Sequence, residues 1–229
     1  MVAAPSTRPH RRHGVNPRPC VLLTGFEPFD GETVNPSWLA VQPLHGRQVA
    51  GHRIVAALLP TVFGHAPAAL RALLARHRPR LVICVGQAGG RSAISLERIA
   101  INIDDARIAD NAGSQPVDSP VVPGAPAAHF STLPIKAMRA ALLEAGIAAE
   151  VSQTAGTFVC NHVFYALMHA LANDSALQGV RGGFIHVPWL PQQGNPSMPL
   201  ADLTRGLRLA IQVALTTGTD IRQAAGQLS

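Results

Sequence analysis

The chain has 229 residues, enough for one sizeable domain or two small ones. Hydrophobic residues make up 47% and charged residues only 14%, so a core can be buried and disorder is excluded over most of the length. Three cysteines (Cys20, Cys84, Cys160) cannot all pair, which excludes a disulfide scaffold, and no apolar run reaches the ~20 residues that span a bilayer.

The net charge of +6 points to an acidic partner until it is located. Arg8, Arg11, Arg12 and Arg18 lie within residues 1–19, which hold no acid. The rest carries 15 basic and 13 acidic residues and is nearly neutral. The leader has no apolar h-region, so it is not read as a secretory signal. It reads as a disordered basic extension. Four arginines without interleaved aromatics or a fold signature make a thin nucleic-acid footprint, so no nucleic-acid or membrane partner is expected. The lack of a signal and the odd cysteine count point to the cytoplasm.

The organised region begins at Cys20. Residues 20–24 (CVLLT) form a short apolar run ended by Gly25, the pattern of a buried strand. Asn35-Pro36-Ser37 is a helix start, followed by Trp38, Val41 and Leu44 on one face. Residues 53–59 are a second strand stopped by Pro60, and 66–78 are a helix closed by Pro79. Residues 81–85 are an uninterrupted apolar strand followed by the glycine-rich Gly86-Gln87-Ala88-Gly89-Gly90. Residues 97–103 alternate and predict another strand. Residues 104–122, rich in Asp, Pro and Gly, predict a long loop. Then come a helix over 133–146, a strand over 148–152, a helix over 158–172, a strand over 183–187 and a last amphipathic helix over 200–215. Strands alternating with helices imply βαβ units. The expected fold is a single α/β domain over 20–229, with a mainly parallel twisted sheet and helices on both faces.

Reactive residues of open α/β sheets gather at strand carboxyl ends. Cys160 stands before an apolar helix, where the positive end of the helix dipole favours a thiolate; a buried small hydrophobe is the competing reading. His186 ends an apolar strand just before Pro188, which puts it at the sheet rim. Its alternative is a hydrogen-bonded core histidine. Glu97 is either the acid that orients a base or the partner of Arg91 or Arg98 in a salt bridge. The glycine run matches neither phosphate-loop pattern, and no lysine follows it; Lys136 is the chain's one lysine. No H-E-x-x-H or C-x-x-C motif is present, so no metal or cofactor is expected.

Six stretches together resemble one known family. They are L-T-G-F-E-P-F-D-G-E-x-x-N-P-S (23–37), L-P-T-V-F-G (59–64), G-Q-A-G-G-R-x-x-I-S-x-E-R-I-A-I-N (86–102), D-A-R-I-x-D-N (105–111), S-Q-T-A-G-T-F-V-C-N-H-x-F-Y (152–165) and F-I-H-V-P-W-L-P-Q-Q (184–193). The resemblance is to pyroglutamyl peptidase I, also called pyrrolidone-carboxylate peptidase, a family of cytoplasmic cysteine peptidases. It covers nearly all of 20–215. It implies Cys160 as nucleophile, His186 as general base and Glu97 as the residue that orients the base. It also implies a pocket for an uncharged lactam ring: Phe26, Phe29 and Phe158 clamp the ring, and Gln87 and Ile108 offer backbone groups. Thr61 and Val159 line the same pocket, Asn35 supports it, and Arg107 lies near the oxyanion. The implied partners are N-terminally pyroglutamylated peptides, and the family's habit implies a homo-oligomer, in the tetramer range. Asp30 stands where the family often has Gly, Trp189 where a smaller aromatic is common, and the segment after Gln193 is short. A non-catalytic relative on this scaffold would be expected to lack Cys160, His186 or Glu97, and all three are present.

Overall fold

The structure, a computed structural model, describes residues 19–226, so the predicted disordered leader lies outside the described residues except for its last position. In chain order the described elements are β1 (Cys20–Phe26), α1 (Pro36–Val41), β2 (Gln48–Val49), β3 (His52–Leu59), α2 (His65–His77), β4 (Leu81–Gln87), β5 (Ile94–Glu97), β6 (Ile99–Ile101), β7 (Ala128–Phe130), α3 (Ile135–Glu144), β8 (Ala149–Ser152), α4 (Val159–Asn173), β9 (Arg181–Val187) and α5 (Leu200–Thr216). Seven strands form one sheet in the order β2-β3-β1-β4-β9-β5-β8, and β6 pairs with β7 apart from it. Neighbours in the main sheet are parallel except at β2–β3 and β5–β9.

Helices cover both faces, as the alternation of elements predicts. Strand pleating sends successive side chains to opposite faces, so central strands must be apolar throughout. Val21, Leu23, Leu81, Ile83, Val85, Ile185 and Val187 pack with residues of α1, α3 and α5. Leu22, Val82, Cys84 and Phe184 pack with residues of α2 and α4. By the same parity Gly86 and His186 belong to the α4 face.

One expected strand is corrected. The single strand over 97–103 is two strands: Ile94 to Glu97 join the main sheet, the chain breaks at Arg98, and β6 leaves to pair with β7. β2 and β7 have two and three residues, too few to register as alternation. The loop over 104–122 is internally tied: Asp104 and Ser119 exchange backbone hydrogen bonds of 2.7 and 3.0 Å. The buried Asp110 carboxylate accepts from the backbone N–H groups of Ala112, Ser114 and Phe63. The tail past α5 also has a structural role, because Asp220 accepts from Lys136 N and Ala137 N and so caps α3.

Candidate active site

The antiparallel β5 decides the geometry. The glycine-rich segment after β4 turns the chain back, so β5 descends alongside β9, with Ser95 opposite His186 and Leu96 opposite Ile185. Glu97, two residues past Ser95, therefore comes to His186 diagonally on the same face. His186 Nδ1 donates to Glu97 Oε1 at 2.8 Å, and both side chains are buried. Glu97 thus reaches the histidine from within the sheet, and not from the carboxyl edge that the parallel pattern predicts.

Cys160 is the second residue of α4. Gly86, the register partner of His186, makes room for it: a Cβ on Gly86 would lie 2.7 Å from Cys160 Sγ and 2.8 Å from Phe184 Cζ. The sulfur and the imidazole therefore stand over adjacent strands at one level. The Phe184 ring lies under both, its centroid 4.8 Å from that of His186.

Burial foremost, and then the Glu97 charge, push the Cys160 thiol up to about 12 against the opposing pull of Arg91. This opposes the pull of the helix dipole towards a thiolate. Burial would also raise the Glu97 carboxyl. The hydrogen bond and charge of His186 outweigh it, Arg91 adds to them, and Glu97 is held below its ordinary value. It is a carboxylate at neutral pH, so His186 Nδ1 carries the shared proton and Nε2 is left as the acceptor. Cys84, also pushed up to about 12 by burial, is an inert core thiol.

Glu97 makes both of the contacts weighed for it. Arg91 Nη1 donates to the same Oε1 at 2.7 Å. Arg98 turns away to Gln153 Oε1.

The residues expected around a lactam divide into three groups. Phe29, Gln87, Arg107 and Ile108 line a cavity of about 370 Å³, together with Asp30 and Trp189. Phe158 packs on Phe29, with ring centroids 5.8 Å apart, and Phe63 meets it edge-on at 5.4 Å. Phe26 lies in the core against Phe184, and Val159 is buried as the first residue of α4. Thr61 Oγ1 and Asn35 Nδ2 both donate to the carbonyl of Glu27, so they brace the chain that carries Phe29. Asn35 Oδ1 also caps α1. A larger groove of about 470 Å³ between α2 and α4, lined by Arg71, Arg78 and Leu177, shares no residue with this site.

Some contributors escaped the sequence reading. Asn161, next to Cys160 and fully buried, accepts from Ile101 N and donates to the carbonyls of Ile101 and Ile103. It pins β6 to the start of α4. His162 pairs through Nδ1 with Asp104 at 2.7 Å, but its Nε2 accepts from Gly64 N, so no lone pair is left for base chemistry. Among the described residues, no group of three or more His, Cys, Asp or Glu side chains could hold a metal ion. No described helix is long and apolar enough to cross a membrane.

A family model described as pyroglutamyl peptidase matches residues 20–217. The pyrrolidone-carboxylate peptidase of Cupriavidus taiwanensis is 59% identical over 215 residues, covering 92% of this chain and 99% of the relative. That of Klebsiella pneumoniae is 59% identical over 211 residues, covering 90% and 97%. A crystal structure of pyroglutamyl peptidase I from Bacillus amyloliquefaciens superposes with a TM-score of 0.88 at 47% identity, over 90% of this chain and all of that one. The α/β fold and these relatives define a peptidase of the cysteine class. The chain belongs to the pyroglutamyl peptidase family.

Proposed function

We propose that the protein hydrolyses the amide bond after an N-terminal pyroglutamyl residue, with Cys160, His186 and Glu97 as its catalytic residues. The observation that carries this reading is the buried Glu97 carboxylate on His186 Nδ1, with Cys160 Sγ seated over the neighbouring Gly86. Glu97 fixes the tautomer, so Nε2 faces the reaction as a base. Cys160 Sγ bonds to the carbonyl carbon while its proton passes to Nε2. The imidazolium returns that proton to the leaving amine as the C–N bond breaks, leaving a thioester. His186 then takes a proton from water, the hydroxyl attacks the thioester, and the thiol re-forms as pyroglutamate departs.

The substrate ring has no ammonium to grip, so it needs apolar walls and a few fixed polar groups. The Phe29–Phe158–Phe63 cluster and the backbone at Gln87 and Ile108 supply them. In this reading Arg107, which lines the cavity, and the backbone N–H at Cys160 meet the developing oxyanion.

The test is release of fluorophore from a pyroglutamyl coumarin amide. The wild type cleaves it and leaves the alanyl amide intact, and chelators have no effect. Cys160→Ser lowers the rate by roughly 10³-fold or more. A Cys160→Ser protein with full activity would overturn the mechanism, and equal cleavage of both amides would overturn the specificity.

A further inference from the structure

We infer that Arg91 is a positioning residue of this reaction, holding Glu97 in register for His186 and balancing the carboxylate's charge at the thiol. The inference rests on the reading of Cys160, His186 and Glu97 given above.

The geometry is asymmetric. Both donors to Glu97 use one oxygen: Arg91 Nη1 at 2.7 Å and His186 Nδ1 at 2.8 Å meet at Oε1, while Oε2 has no hydrogen-bond partner. Ser152, across from Glu97 in β8, donates to the Thr154 carbonyl and still helps to hold the carboxyl low. The two side chains that donate to this fully buried carboxylate at hydrogen-bond distance are Arg91 and the base itself. The second nitrogen of Arg91 donates to the Thr154 carbonyl at 3.1 Å. Thr154 lies in the connection between β8 and α4, six residues before the nucleophile. One guanidinium thus ties the orienting acid to the chain that delivers the sulfur, with the planar two-pronged geometry that only arginine offers.

Charge gives the second part. Glu97 must be ionised to orient the imidazole, yet its charge opposes a thiolate on Cys160, and Arg91 acts in the opposite direction. The reactive Cys160–His186 pair carries one proton and no net charge, whether as thiol and imidazole or as thiolate and imidazolium. Glu97 and Arg91 cancel one another beside it. Without Arg91 the site is one unit more negative and holds its protons more tightly, so both limbs of the pH–rate profile move up. A single charge on the far side of Glu97, in a medium between protein and water, shifts such titrations by roughly half to one pH unit.

The other groups facing the site, the cavity-lining Arg107 among them, are the same with and without Arg91. β4 contributes Cys84, which is neutral. β8 contributes Glu150, which accepts from Ser95 at 2.7 Å. From β9 and α4 come His186 and Cys160 themselves.

The experiment is the pH dependence of kcat/KM on the pyroglutamyl amide for the wild type, Arg91→Gln and Arg91→Lys, with folding checked by thermal melts. Arg91→Gln should move both limbs up by roughly half to one unit, with a 3- to 10-fold lower kcat/KM on the acid side. Arg91→Lys keeps the charge but loses the second prong, so its limbs should stay in place while kcat/KM falls at every pH. An Arg91→Gln enzyme with limbs at their wild-type positions would overturn the inference, whatever its overall rate. If Arg91→Gln does not fold, Arg91→Lys decides, because displaced limbs in that variant are equally fatal. A wild type inactive on the amide, or an active Cys160→Ser, would instead refute the catalytic reading on which the inference stands.

Discussion

Gly86→Ala adds one methyl group where the Cys160 sulfur sits. Gly86 has no positive φ, so alanine suits the backbone and the effect is steric. The new Cβ would stand 2.7 Å from Cys160 Sγ and 2.8 Å from Phe184 Cζ. Ordinary contacts between such atoms start near 3.5 Å, so sulfur and ring must each give way by about 1 Å. Displacing a reacting atom by about 1 Å costs roughly 10²-fold in rate, or about 2.7 kcal/mol of barrier. Phe184 also carries the His186 ring on its face, so both halves of the reactive pair are disturbed. The overpacking itself should cost about 1–3 kcal/mol of stability. The assay is steady-state kcat/KM on the pyroglutamyl amide, beside a denaturant melt. Gly206→Ala is the control: its Cβ would meet Ile94 Cδ1 at 2.6 Å, the movable end of a side chain, and alanine favours a helix interior by about 1 kcal/mol. That variant should keep its rate within about twofold. A folded Gly86→Ala enzyme with undiminished kcat/KM would refute the placement of the reactive sulfur.

Asn161→Ala leaves a backbone N–H of β6 and two carbonyls without their buried partner, and should cost about 2–4 kcal/mol in urea unfolding. A loss below about 0.5 kcal/mol would show that Asn161 does not pin β6. The third prediction concerns acid. The Glu97 carboxyl is lower in the folded protein than in the unfolded chain, so its stabilisation is complete above the unfolded value and is lost as pH falls through the folded one. The difference in Tm between wild type and Glu97→Gln should therefore be largest near pH 7 and shrink towards pH 3. A difference that is constant or grows in acid contradicts the lowered value.

Much of the chemistry could be read along the chain because its residues lie inside strongly patterned segments. Parity within VGQ, FIHV and ISLE alone puts Gly86, His186 and Glu97 on the face that α4 covers once the strands are aligned. The pattern could not reveal the direction of β5. Four residues of β-strand look alike whichever way they run, and the reversal depends on how the glycine-rich loop turns. The double use of Glu97 was hidden for a related reason. A glutamate near two arginines and distant from a histidine reads as one bond or the other, and only folding brings both donors to a single oxygen. Phe26 shows the reverse error: its motif places it among pocket aromatics, while packing against Phe184 puts it in the core.

The sequence by itself determined the α/β class, the order of most elements and the near-neutral body, and its resemblance to the family singled out Cys160, His186 and Glu97 as candidates. The first three follow from local periodicity, turn residues and composition, which need no knowledge of distant contacts. The tertiary structure alone decided the diagonal approach of Glu97 to His186, the space at Gly86 for the sulfur, the thiol raised by burial and the clamp from Arg91 to Thr154. Each of these depends on residues far apart in the chain meeting where water is excluded, and no local pattern specifies that distance or that burial.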